Sequence, residues 1–159
     1  MIEVIDNFLP EKEFKEIQNV ICSDSFPFFY SGTVADDDDP PDQYYFIHLF
    51  FIHNAPNSSY FNMWDNFLKK INCKALIRIK GNMYIGNQKK QIHKAHRDYD
   101  YPHKGCLFYI NTNNGATIFE GKEVLPKENR VVFFEPHKPH SSSICTDQNR
   151  RITINFNYF

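Results

Sequence analysis

Three side chains in the second half of the chain have the types and spacing to hold one metal ion. His96 and Asp98 form a His-x-Asp pair, and His140 follows far downstream, just after the apolar run Val131-Val132-Phe133-Phe134. Residues two apart on an extended segment point to the same side, so His96 and Asp98 can reach one ion. An imidazole presented by the end of a remote strand completes two histidines and one carboxylate. Such a set covers one face of an octahedral metal and leaves the opposite face open, which suits Fe(II) chemistry better than a closed, thiolate-rich structural zinc site. Arg151 is the fourth candidate. It opens a segment in which Arg151, Thr153, Asn155 and Asn157 share one face while Ile152, Ile154, Phe156 and Tyr158 share the other. If the polar face lines a pocket, Arg151 offers a bidentate guanidinium to a carboxylate. If the strand is an edge, the same face only meets water, and the strand alone leaves both open.

The elements that must position these groups follow from periodicity and punctuation. A strand Glu3–Ile5 precedes a helix from Glu11 to Cys22, with start signals at Asp6-Asn7 and Pro10 and with Phe14, Ile17, Val20 and Ile21 at helical spacing. Phe26 to Tyr30 reads as irregular. The run Asp36-Asp37-Asp38-Asp39-Pro40-Pro41 reads as a solvated loop rather than a metal site. Tyr44–Ile52 is a strand, and Ser58-Ser59 cap a helix to about Ile71, with Phe61, Trp64, Phe67 and Leu68 on one face. Then the pattern turns almost wholly to strands: Ala75–Ile85, Gln91–His96, Gly105–Asn111, Ala116–Phe119, Arg130–Glu135 and Arg151–Tyr158. The expected fold is mainly β (α+β): a jelly roll with two N-terminal helices packed on one sheet. It forms a single domain over 1–159, with helical support over about 1–72 and the β core over about 75–159.

Composition narrows the function classes. The chain has 159 residues and a net charge of -1, which argues against nucleic-acid binding through bulk charge, and 16% aromatics argue against disorder. No apolar run approaches the ~20 residues of a membrane span. The start Met1-Ile2-Glu3-Val4 lacks the basic and apolar regions of a signal peptide. Cys22, Cys73, Cys106 and Cys145 are scattered without a CxxC pair, so a reduced, cytoplasmic setting is expected.

The order HxD, distant His, then Arg resembles the Fe(II)/2-oxoglutarate-dependent dioxygenase superfamily, prolyl-4-hydroxylase-like, and small phage-encoded members above all. Further segments carry the resemblance. Cys106-Leu107-Phe108-Tyr109-Ile110-Asn111 is similar to the strand that bears a cosubstrate-binding tyrosine. Gly115-Ala116-Thr117-Ile118-Phe119 is similar to a G-G-x-T-x-F strand, with Ala116 in place of a glycine. Asn129 to Phe134 resembles the strand before the second metal histidine, and Arg151 to Phe156 the closing strand with its oxoglutarate-binding arginine. The likeness covers Ala75 to Phe159.

The resemblance implies His96, Asp98 and His140 as catalytic iron ligands. It implies Arg151 and Tyr109 on the distal carboxylate of 2-oxoglutarate and Tyr84 touching the same cosubstrate. Asn82, Lys80 and Arg78 share the face of Tyr84 by alternation and are further candidates; a buried Lys or Arg there needs a partner. The family pattern selects His140 over His137 and Arg151 over Arg150. His93 stands an odd number of residues before His96 and is expected to point away, while His48, His53 and His103 are expected as surface or packing residues. Asp100 replaces Asp98 only if the strand ends early. The implied reaction hydroxylates an unactivated C–H bond, consumes O2 and turns 2-oxoglutarate into succinate and CO2, with ascorbate as a possible support. The substrate expected is a protein or peptide residue or an amino acid. A phage-encoded member would work in the host cytoplasm. The competing readings are an AlkB-type nucleic-acid demethylase, against which Asn157 stands where that branch has a second arginine, and a non-catalytic jelly-roll module. Substrate choice is assigned to the loops Ser31–Gln43, Lys89–Ile92 and Tyr99–Lys104.

Overall fold

The computed structural model describes residues 2–35 and 39–159, so Asp36, Asp37 and Asp38 of the expected acidic loop lie outside the described residues. In chain order the elements are β1 (Glu3–Ile5), α1 (Glu11–Ile21), β2 (Phe29–Ser31), β3 (Tyr45–Ile52), β4 (Ala55–Pro56), α2 (Asp65–Lys70), β5 (Leu76–Ile85), β6 (Lys104–Tyr109), β7 (Thr117–Phe119), β8 (Lys122–Val124), β9 (Arg130–Phe134), β10 (His140–Ser142) and β11 (Arg150–Tyr158). An eight-stranded sheet runs β1-β9-β6-β11-β5-β3-β2, with β4 on β3, and a three-stranded sheet runs β10-β7-β8. Each pairing is antiparallel. The architecture is the expected jelly roll.

Strand alternation divides the large sheet into two unlike faces. Ile79 on β5, Phe108 on β6, Val131 on β9 and Ile152, Ile154 and Phe156 on β11 turn to one side and bury against the helices. There α1 inserts Phe14, Ile17 and Ile21, and the turn before α2 inserts Trp64. Phe67 stacks on Phe156 at 4.2 Å, and Phe14 meets Phe108 edge-on at 5.8 Å. Both helices therefore cover one sheet face. The opposite face looks toward β7 and β10, where Leu107, Tyr109, Phe119, Val132 and Phe134 form a second, smaller cluster.

Two elements depart from their expected form, and one open reading is decided. The helix expected from Ser58 to Ile71 is a 3-10 turn, Phe61–Trp64, followed by a short α2. Ser58 does cap its start, accepting from the Tyr60 N–H at 3.1 Å, but Tyr60, Phe61, Asn62 and Trp64 are poor helix formers and Trp64 is drawn into the core. The expected strand Gln91–His96 is reduced to two isolated bridges, Ile92 to Ser143 and His96 to His140, whose registers differ by one residue. Pro139 beside His140 has no N–H to lengthen the ladder. Last, β11 is no edge: it lies between β5 and β6. Its polar face is enclosed, which decides between the two readings the strand left open.

Candidate metal centre

The His96–His140 bridge is what assembles the site. The two residues exchange both backbone hydrogen bonds, each at 2.9 Å, and so form a hydrogen-bonded antiparallel pair whose side chains leave on one side. Their ring centroids lie 4.7 Å apart. The Asp98 N–H then donates to the Pro136 carbonyl at 2.9 Å, which holds the next turn of chain against the same segment. One ligand atom from each of His96, Asp98 and His140 lies within 4.8 Å of the others. Among the described residues this is the one such group.

Proton positions suit a metal. His140 Nδ1 lies 3.0 Å from the Lys138 carbonyl; it must donate there, which leaves Nε2 with a lone pair for an ion. Burial, and then the nearby His140, push His96 down to about 4, so its ring is neutral at pH 7. Burial alone would push the Asp98 carboxyl up. Arg78, His140 and Lys80, with a hydrogen bond from Asn155, outweigh that and hold it at about 2. The donors are thus the neutral imidazole of His96, the His140 ring whose Nδ1 faces the Lys138 carbonyl, and one carboxylate, a set that matches an open divalent site.

Asp98 is held from several sides. Arg78 reaches one carboxylate oxygen at 2.9 Å and Asn155 the other at 2.9 Å. His103 Nδ1 lies 2.8 Å from the Tyr101 carbonyl and must donate to it, so Nε2 accepts from Asn157. That orientation of the Asn157 amide also brings its nitrogen to 3.0 Å from Asp98. The expectation that Arg78 needs a partner is met by Asp98. Arg78 also lies over the Tyr99 ring at 5.2 Å.

Beyond the triad a pocket runs between the two sheets, floored by Lys80, Asn82 and Tyr84 of β5 and Arg151, Thr153 and Asn155 of β11. Arg151 stands at its inner end, 1% exposed. Its guanidinium donates to Thr117 Oγ1 at 2.8 Å and lies 5.1 Å from the Tyr84 ring centroid and 5.9 Å from that of Tyr109. Its Nε has no hydrogen-bond partner, and among the described residues no carboxylate pairs with it. A buried cation left in that state is costly, and an anionic ligand beside it would offset that cost. Gly115 makes room for this side chain, since a Cβ there would sit 2.7 Å from Arg151 Cδ. Arg150, the rival, points the other way and donates to the Cys22 carbonyl at 2.6 Å.

The remaining candidates fall as follows. Tyr109 is fully buried behind the pocket wall and donates to the same Thr117 hydroxyl at 2.8 Å. Tyr84 lines the pocket between Tyr45 and His93, stacked at 5.4 and 5.2 Å. Asn82 donates weakly to Thr153 at 3.4 Å and keeps a buried, unpartnered Oδ1 facing the pocket region. His137 stays outside the triad, His48 and His103 are buried packing residues, and His53 is exposed. Sequence reasoning missed Thr117 as the shared acceptor, and Tyr45 and Val34 as pocket lining. Tyr45 had one available signal: it alternates with Tyr44 on a strand that pairs with β5.

His93 corrects an expectation. It does not point away. The one-residue slip between the two bridges cancels the alternation argument, and His93 is buried against Tyr84 with Nδ1 2.9 Å from Ser142 Oγ. Burial, and then Arg151, push its ring down to about 4 from the ordinary 6.5. Between those values the unfolded chain binds the proton and the folded one does not, so stability rises with pH across that window. We expect the metal-free protein to lose up to ~3 kcal/mol between pH 6.5 and 4 through this ring. Urea unfolding across that range should show His93→Gln with a shallower slope than the parent; equal slopes would refute the assignment.

No protein-family model matches the chain, and no curated protein matches it in sequence. Solved structures do. A 2OG-Fe(II) oxygenase family oxidoreductase from Burkholderia pseudomallei superposes with a TM-score of 0.69 at 12% identity, covering 99% of this chain and 84% of its own. A prolyl hydroxylase from Trichoplax adhaerens, solved with a hypoxia inducible factor peptide, gives 0.66 at 14% identity, covering 99% and 83%. The viral collagen prolyl hydroxylase of Paramecium bursaria Chlorella virus-1, in complex with 2OG, gives 0.60 at 16% identity, covering 98% and 93%. The chain has the jelly-roll fold that these oxygenases and hydroxylases share.

Proposed function

We propose that the chain is an Fe(II)- and 2-oxoglutarate-dependent dioxygenase, prolyl-hydroxylase-like, that hydroxylates a C–H bond of a peptide residue or amino acid. One observation carries the reading: the metal-competent triad and a buried arginine with no acidic partner among the described residues occupy the same pocket. His96, Asp98 and His140 would hold iron. Arg151 would take the distal carboxylate of 2-oxoglutarate, with Thr117 and Tyr109 fixing the guanidinium from behind. Bound there, iron, 2-oxoglutarate and O2 would supply the oxidant, with succinate and CO2 as co-products.

The chain's own contribution is geometric and electrostatic. Arg78, Asn155 and Asn157 pin the Asp98 carboxylate, and the Lys138 carbonyl fixes the His140 tautomer. The pocket is walled by buried Tyr45, Tyr84 and Leu107 side chains, which limits water near the metal. Incubation with Fe(II), ascorbate, O2 and 2-oxoglutarate should release succinate without added substrate, and a chelator should abolish it. Absence of both succinate and 2-oxoglutarate binding by metal-loaded protein would point instead to a non-catalytic module.

A further inference from the structure

Lys80 is a cation the proposed chemistry does not use. It sits in the middle of β5 on the pocket face and lines the pocket with Asp98, Tyr45 and Val34. Its amine donates to the Tyr45 hydroxyl at 3.1 Å and lies 5.4 Å from that ring's centroid. No carboxylate pairs with it among the described residues. The nearby acid, Asp98, is taken by Arg78 at 2.9 Å. Lys80 stands well apart from Arg151 along the sheet. Arg151 pairs across with Tyr84, four residues further along β5 than Lys80, which is ~13 Å at ~3.3 Å per residue.

Charge accounting makes the surplus plain. A divalent metal and Arg151 carry three positive charges against the two negative ones of a bound diacid, and Asp98 is bonded by Arg78, so the pocket stays positive with Lys80 paired to no carboxylate among the described residues. A lysine kept among apolar and aromatic groups costs stability unless an anion joins it. Lys80 is bonded to Tyr45 of the neighbouring β3, and with Arg151 assigned to the cosubstrate a substrate anion is the ligand left for it.

We propose that Lys80, with Tyr45, forms a carboxylate-binding subsite that orients a substrate bearing an anionic group next to the bond to be hydroxylated. This rests on the oxygenase reading above and narrows its substrate class to acids, whether a free amino acid or an acidic side chain.

The test uses Mn(II)-loaded protein saturated with 2-oxoglutarate in the absence of O2, with propionate as the probe. Proton relaxation of propionate should be enhanced saturably by the bound Mn(II), and that of propionamide should not. Lys80→Gln should weaken the propionate effect about tenfold or more, as loss of a charged partner does, and Lys80→Arg should restore most of it. Equal enhancement for the acid and the amide overturns the subsite, as does equal enhancement in the parent and Lys80→Gln, which would mean direct ligation to the metal. If Lys80→Gln costs 2-oxoglutarate as much affinity as propionate, Lys80 anchors the cosubstrate and the proposal fails. Failure of the parent to bind Mn(II) or 2-oxoglutarate at all would strike the oxygenase reading itself. The two sources are then separated with L-alanine, whose carboxylate is the α one, and N-acetyl-L-aspartate amide, whose carboxylate is in the side chain; relaxation of either supports the subsite.

Discussion

His96→Ala should fold like the parent and lose Mn(II) affinity by more than ~100-fold, beyond the 10–100-fold that removing an outer-shell partner costs. The His96 side chain is 26% exposed and its ring contacts His140 without anchoring other elements, so its removal leaves a shallow gap rather than a core cavity. The backbone bridge to His140 survives the substitution, since it uses main-chain groups only. His140→Ala should match it in Mn(II) loss. Asp98→Ala should differ in kind. It would strip Arg78 of its partner in a site where the Asp98 side chain is 3% exposed and that of Arg78 14%, so a stability cost of ~3–5 kcal/mol accompanies the loss of metal. Titration of Mn(II) by electron paramagnetic resonance, beside thermal unfolding of each variant, separates the two patterns. Undiminished Mn(II) binding in both histidine variants would refute the ligand assignment.

Those differences also mark where sequence reasoning reached and where it stopped. His96 and Asp98 were legible because their logic is local, two residues apart on one extended segment, whereas His140 was preferred to His137 only through the resemblance to the oxygenase pattern. The polar face of β11 was legible as a face, but its burial was not. Whether Thr153, Asn155 and Asn157 meet water or a pocket depends on β5 and β6 flanking the strand, which no alternation pattern in the strand itself encodes. His93 failed for a sharper reason. Parity arguments hold only while register is kept, and a one-residue slip between two isolated bridges reverses the side to which a side chain points. Ser58 to Ile71 misled through its apolar spacing: the aromatic face is real and buried, but a 3-10 turn followed by a short helix presents it equally well. Arg78 and Lys80 were recognised as needing partners. Only the fold shows that one has a carboxylate and the other a phenol.

Arg151→Met carries the second large effect, and stability and binding should move apart in it. In the ligand-free protein the Arg151 guanidinium is buried, bonded to Thr117 and, among the described residues, paired with no carboxylate. Methionine keeps much of the volume and removes the unpaired charge, and replacement of a buried ionic group by an apolar one is often neutral or stabilising. The melting temperature without ligand should therefore hold or rise. Binding of 2-oxoglutarate should weaken by ~3 kcal/mol or more, roughly 150-fold, because a carboxylate would enter an apolar pocket end with no cation to meet it. The parent should gain melting temperature when saturating 2-oxoglutarate is added with Mn(II), and Arg151→Met should not, because only a ligand that binds the folded state shifts the transition. Arg150→Met is the internal control, since that side chain reaches the Cys22 carbonyl on the other side of β11. Loss of 2-oxoglutarate affinity in Arg150→Met with retention in Arg151→Met would move the anchor to the opposite face of the strand. A fall in the ligand-free melting temperature of Arg151→Met as large as that of Asp98→Ala would show instead that the arginine is structural, held by Thr117 and the two tyrosine rings for the sake of the fold.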